Sequence, residues 1–137
     1  MKRHLYYMIL FLMAAGYWMA CKKESNVPVS DSLRGTWELR DDVNGMTGRV
    51  THHKAGNDTT IKFTSDTYES RAGGKLIKSG TYIVKKDTFH LDHTLKNKII
   101  FDNQQNGIST FFEISDNKLS FIIDAYDAPG LVYERIK

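Results

Sequence analysis

Histidines crowd together twice in this sequence, once with a carboxylate between them. His90-Leu91-Asp92-His93 carries three metal-competent side chains in four residues, and His52-His53 adds two more. A zinc site needs three or four such donors converging at about 2.0–2.3 Å from one ion. On a strand, His90 and Asp92 share a face while His93 points the other way. The motif therefore cannot close a site alone, and convergence would require a histidine of the other pair on a neighbouring strand. Histidines on surface strands are the simpler reading, and no metal or other cofactor is expected.

Ser115-Asp116-Asn117-Lys118 imitates the Ser-Asp-Asn and Ser-x-x-Lys elements of penicillin-recognising enzymes, and Lys78-Ser79-Gly80 imitates a third element. That chemistry needs a nucleophilic serine and a lysine on one helical turn, separate from the second element. Here the two overlap in a tight turn and cannot fill separate roles. No Gly-x-Ser-x-Gly elbow or phosphate-binding loop occurs, and carboxylates such as Asp92 and Glu113 are scattered. Catalysis is not expected.

The elements that position these residues follow from length, charge and periodicity. The chain has 137 residues, with 19 basic and 16 acidic side chains and 41% hydrophobic residues. That is room for one domain of ordinary globular composition. The excess charge sits at the start: from Ser30 onward basic and acidic residues balance. Nucleic-acid binding by counterion release needs clustered positive charge, so nucleic acid is not an expected partner.

Lys2, Arg3 and His4 precede an apolar run over residues 5–15, and the single cysteine of the chain, Cys21, follows Ala20. A basic start, an apolar run of this length and a small residue before the cut describe a secretory signal over residues 1–20. Residues 5–20 are too few to span a bilayer core comfortably. Trp18-Met19-Ala20-Cys21 resembles the lipobox of bacterial lipoproteins, although Trp18 stands where leucine is usual. The resemblance implies that the Cys21 thiol is acylated, giving membrane lipid as a partner. Two or three acyl chains anchor far more firmly than one, at about 0.8 kcal/mol per buried methylene. Residues 21–32, polar and containing Pro28, read as the lipidated tether. The implied location is the cell envelope, lipid-anchored, with the outer membrane suggested by the absence of aspartate after Cys21.

From residue 33 onward apolar residues alternate with polar ones. Ile61 and Phe63 oppose Thr60, Lys62 and Thr64; Phe89 and Leu91 oppose His90 and Asp92; Leu119, Phe121 and Ile123 oppose Lys118, Ser120 and Ile122. This is the period of strands with one buried face. Turn residues punctuate the runs, including Asp116-Asn117, Gly73-Gly74 and Lys85-Lys86-Asp87. Strands are predicted over about 35–42, 49–54, 59–64, 67–72, 75–84, 88–94, 98–102, 108–115, 118–125 and 131–136. The expected fold is all-β: a small antiparallel up-and-down barrel of about 8–10 strands over residues 33–137, closed because closure removes exposed edges.

Leu33-Arg34-Gly35-Thr36-Trp37-Glu38-Leu39 is similar to the opening strand of lipocalin-like domains, marked by Gly-x-Trp. Ile61-Lys62-Phe63-Thr64-Ser65-Asp66-Thr67-Tyr68, Ser79-Gly80-Thr81-Tyr82 and Val132-Tyr133-Glu134-Arg135-Ile136 resemble, in the same order, segments of small lipocalin-like lipoproteins of Gram-negative bacteria. The Thr-Asp-Tyr segment of full-length lipocalins is missing, so the chain looks like a reduced relative. The resemblance implies that Trp37 plugs the closed barrel end with Arg135 across its ring, while Gly35 lets a neighbouring backbone approach.

Inward-facing aromatics then become the candidate ligand lining: Phe63, Tyr82, Phe89, Phe101, Phe112, Phe121 and Tyr133. They fill the barrel or surround a cup for one small hydrophobic ligand, since eight or so strands permit either. With a filled barrel, the chain would instead act as a protein-interaction module, such as an inhibitor, an immunity factor or a structural envelope lipoprotein. Residues 41–48 and 126–130 would then offer contact loops to an envelope partner.

Overall fold

The computed structural model describes residues 29–137; the signal, Cys21 and most of the tether fall outside the described residues. A five-residue helix, α1 (Val29–Leu33), precedes nine strands. These are β1 (Gly35–Val43), β2 (Val50–His52), β3 (Thr60–Phe63), β4 (Thr67–Ala72), β5 (Lys75–Phe89), β6 (Thr94–Phe101), β7 (Thr110–Ser115), β8 (Lys118–Ile123) and β9 (Gly130–Arg135). Neighbouring strands pair antiparallel throughout, and β9 returns to β1, which closes an eight-stranded barrel. The extra strand is β2. It takes over the edge of β1 at Asp41, Asp42 and Val43 after β3 has left it at Glu38.

Alternation places the core. Trp37, Phe63, Tyr68, Tyr82, Ile99, Phe112, Leu119 and Phe121 form one buried cluster inside the barrel, with Leu33 of α1 among them. The helix begins within the stretch read as tether, and Val29 packs against the core. The Asp116-Asn117 hairpin forms as its sequence suggests, with Asp116 at φ 53° and Ser115 paired to Lys118.

The long β5 corrects the predicted pair of strands over 75–84 and 88–94. Lys85, Lys86 and Asp87 do not turn; they pair with Lys98, Asn97 and Lys96 of β6. The polar run stays extended with Asp87 matched to two lysines: its Oδ2 lies 3.2 Å from Lys98 Nζ, diagonally across on β6, and 3.5 Å from Lys85 Nζ on the same strand. Cross-strand pairs of opposite charge contribute about 0.2–1 kcal/mol. The turn comes instead at residues 90–93, with His93 at φ 57°. His90, Asp92 and His93 therefore sit at a hairpin tip rather than along a strand.

Two β-bulges interrupt the registers. One shifts β4 against β5 after Ser70. The other lies in β1, where Leu39 opposes Tyr133 and Asp41 opposes Val132, leaving Arg40 as the extra residue. A bulge of this kind reverses which side chains face the interior.

Candidate functional site: a plugged end and an open cup

One end of the barrel is sealed by side chains from its first and last strands. Trp37 is fully buried, and its indole N–H donates to Leu33 O at 2.7 Å. The Arg135 guanidinium lies over the indole, 4.0 Å from the ring centroid, and donates to Ser32 O at 2.6 Å and to Arg34 O. The last carbonyls of a helix lack intrahelical partners. Here two side chains supply them, so α1 is held across the barrel end as a lid. A cation over indole adds about 0.5–2 kcal/mol. Gly35, at φ 130°, is required for this closure, because a Cβ there would overlap both Lys137 O and the Arg135 guanidinium.

Beside this end a charged cluster is buried against the barrel wall. Glu38 accepts from Arg40 Nη1 at 2.5 Å and from the Gly56 N–H at 3.0 Å, and Arg40 Nε also donates to Glu134 at 2.8 Å. The Arg40 hydrogen bond, with the Gly56 amide second, holds the Glu38 carboxyl below the usual carboxylate range despite its burial. Buried carboxylates keep their charge only when hydrogen-bonded in this way.

The other end is open. A cup of about 290 Å³ enters the barrel there, walled by Ile61 of β3, Phe101 of β6 and Thr110 of β7. Phe121 and Ile123 of β8, with Leu131 and Tyr133 of β9, complete the wall, and Pro129 lies at the rim. Phe101 stands between Phe63, at 6.5 Å, and Tyr68, at 4.7 Å between centroids, and so separates the cup from the packed half. Tyr133 meets Phe121 edge to face at 5.8 Å. Burial, with the Asp42 charge behind it, pushes the Tyr133 phenol above its ordinary range, so the hydroxyl stays protonated at neutral pH.

The predicted lining residues divide between the two halves. Phe101, Phe121 and Tyr133 wall the cup. Phe63, Tyr82 and Phe112 face inward too, but are packed in the closed half, where Tyr82 Oη donates to Thr64 O at 2.8 Å. Phe89 is a correction: it does not face the interior. Continuous alternation along β5 from Tyr82 turns it outward, where it meets Phe111 of β7 at 5.2 Å beneath the Lys96 ammonium. The hairpin tip is fixed over the outer face of the barrel by Asp124. Its carboxylate accepts the His90 main-chain N–H at 3.0 Å and lies 2.5 Å from His90 Nδ1.

The remaining histidines pair singly with carboxylates: His52 with Asp41 at 2.6 Å and His53 with Asp42 at 2.8 Å. Among the described residues no three metal-ligating side chains converge. Residues 41–43, read as part of a contact loop, belong to β1. A wider groove of about 460 Å³ runs outside the barrel between residues 43–48, the hairpin tip and residues 125–130. It is larger than the cup but lies open along the surface, whereas the cup is walled by residues of five strands, β3, β6, β7, β8 and β9.

No family model, curated protein or solved structure matches the chain.

The functional reading therefore rests on the geometry. Sequence reasoning missed Ile61, Thr110, Ile123, Pro129 and Leu131 among the cup residues, and Asp42 beside its mouth. Ile123 and Leu131 carry the same period-two signal as their aromatic neighbours. Asp42 carries none, because its direction depends on the bulge at Arg40.

Proposed function

We propose that this protein is a non-catalytic carrier or receptor that holds one small apolar molecule in the open half of its barrel. The observation that carries the reading is the cup: about 290 Å³, walled almost wholly by aliphatic and aromatic groups, opposite an end closed by α1, Trp37 and Arg135. Apolar concavities with one or two polar groups are where small ligands bind. An apolar cavity of about 150 Å³ takes up benzene, so this one fits a body of about ten carbons.

The lipobox resemblance at Cys21 supports an acylated, envelope-anchored form, and the Gly35–Trp37–Arg135 arrangement supports the lipocalin-like assignment. At most about 30 Å of extended chain separates Cys21 from Val29. Val29 opens the helix that lids the plugged end, so an anchor at Cys21 would lie on that side and the cup would open away from it. Displacement of an environment-sensitive dye such as N-phenyl-1-naphthylamine by decanol tests the carrier reading directly. Saturable one-to-one displacement is expected, and an absence of dye or decanol binding overturns it. Membrane fractionation of Cys21→Ser tests the anchor, with release into the soluble fraction expected.

A second reading, docking of an envelope protein at the open rim, is favoured by exposed apolar side chains on its loops, Ile108 at 73% among them. Met46 and Tyr126, each 85% exposed, stand on rim loops beside the outer groove. Pull-down with Met46→Asp and Tyr126→Ala as controls separates the two readings.

A further inference from the structure

The cup is apolar, but the charge at its mouth is not neutral. No charged side chain lines the cup itself. Asp42, however, pairs across β1 and β9 with Leu131, a wall residue, and cross-strand partners project to the same side of the sheet. Asp42 therefore stands on the interior side of β1 directly opposite Leu131, with its side chain 45% exposed at the mouth. It reaches that face only because of the bulge. With regular alternation beyond Leu39, Asp41 would point inward and Asp42 outward; the extra residue, Arg40, exchanges them. Bulges commonly re-aim a side chain beside a functional site.

We propose that Asp42 is a specificity-determining residue of the cup, which admits amphiphiles with an uncharged or protonated-amine head and rejects the carboxylate of the same chain. The inference rests on the reading of the cup as a ligand site. Its physical basis is an absence of compensation. A carboxylate head at the mouth of the apolar cup would sit beside the half-exposed Asp42 carboxylate, and like charges brought close disfavour the charged form of both. The basic side chain on a nearby inward register is Lys78, and it is already committed. Its Nζ lies 2.9 Å from Asp102 Oδ2, which also accepts the Tyr68 hydroxyl at 2.9 Å. Asp102 is itself tucked against Gly80, where a Cβ would overlap its carboxylate. His53 Nε2 meets Asp42 Oδ2 at 2.8 Å, while the other Asp42 oxygen has no hydrogen-bond partner among the described residues. An ammonium head could take that oxygen. A hydroxyl or carbonyl head would instead meet the Tyr133 or Thr110 hydroxyl, both on the cup wall.

Three ten-carbon probes with one tail and different heads test this: decylamine, decanol and decanoate, each competing with N-phenyl-1-naphthylamine at pH 7.5. The expected order is decylamine at least as tight as decanol, and decanol at least about tenfold tighter than decanoate. In Asp42→Asn the decanoate penalty should shrink severalfold and the decylamine advantage disappear, with the melting temperature recorded to show that the variant is folded. Decanoate binding as tightly as decanol to the unmodified protein overturns the proposal, while decanol binding in the same experiment leaves the carrier reading standing. If none of the three displaces the dye, both readings fall together. Decanoate binding that is tight and is lost in Lys78→Ala also overturns the assignment, since the head would then be read by Lys78. Should Asp42→Asn fail to fold, the order measured on the unmodified protein decides alone.

Discussion

The two ends of this barrel are built from the same strands and the same alternation, yet one is solid and the other hollow. At the plugged end Leu33, Trp37, Phe112 and Leu119 have no exposed surface. At the open end Phe101, Ile123, Leu131 and Tyr133 face inward but remain only partly covered. The strands alone do not explain the contrast. What differs is the closure: α1 crosses one end, held by Trp37 and Arg135, whereas connecting loops and the short β2 border the other. A barrel of this size can be filled or can hold one small ligand. This one does the first in half its length and leaves room for the second in the rest.

If that division is correct, substitutions at the two ends should affect different properties. The largest stability loss should come from Trp37→Ala, which empties the plug and strands Leu33 O. A cost of about 3–5 kcal/mol is expected from large aromatic truncations in cores, seen as a fall of more than about 10 °C in a thermal melt followed by circular dichroism. Arg135→Lys comes next. It keeps the charge but gives up the forked donation to Ser32 O and Arg34 O, and about 1–3 kcal/mol should be lost. Dye affinity should change little while the protein is folded.

Glu38 distinguishes the wall from both ends through pH. Its carboxyl is held below the usual range in the folded protein, so it contributes stability above the carboxylate range of the unfolded chain. That stability is lost as pH falls through the lowered folded value. Denaturant unfolding from pH 7 to pH 3 should therefore steepen on the acid side, and Glu38→Gln should flatten that slope while costing about 1–3 kcal/mol at neutral pH. The smallest stability effect is expected from filling the cup. Leu131→Trp places a ring in existing space, so the melting temperature should move by only a few degrees while dye binding falls at least about tenfold. Equal thermal loss at both ends would abolish the contrast.

Much of the plugged end was legible in the sequence. Gly35, Trp37 and Arg135 lie in short segments read as resembling a family in their order, and alternation in β3 and β8 identifies the faces that enter the core. The open end was harder to read, for two physical reasons. Phe89 was placed inside because Lys85-Lys86-Asp87 looks like a turn, and a turn resets the alternation. Cross-strand pairing with Lys96 and Lys98 keeps that segment extended, so counting continues through it and Phe89 emerges on the outer surface. Asp42 was hidden because a bulge is a property of two strands in register rather than of one strand's composition. Polar Asp41-Asp42 at the end of an otherwise regular strand looks like the start of a loop. Only the pairing with β9 shows that one of the two carboxylates has been turned toward the mouth.

Amide-resolved NMR titration of the purified protein with decanol tests the central claim most directly. Saturable shift changes confined to Ile61, Phe101, Thr110, Phe121, Ile123, Leu131 and Tyr133, with Trp37, Phe63 and Phe112 unmoved, are the predicted result. Changes centred on the outer groove or the plug, or none at millimolar decanol, would contradict it.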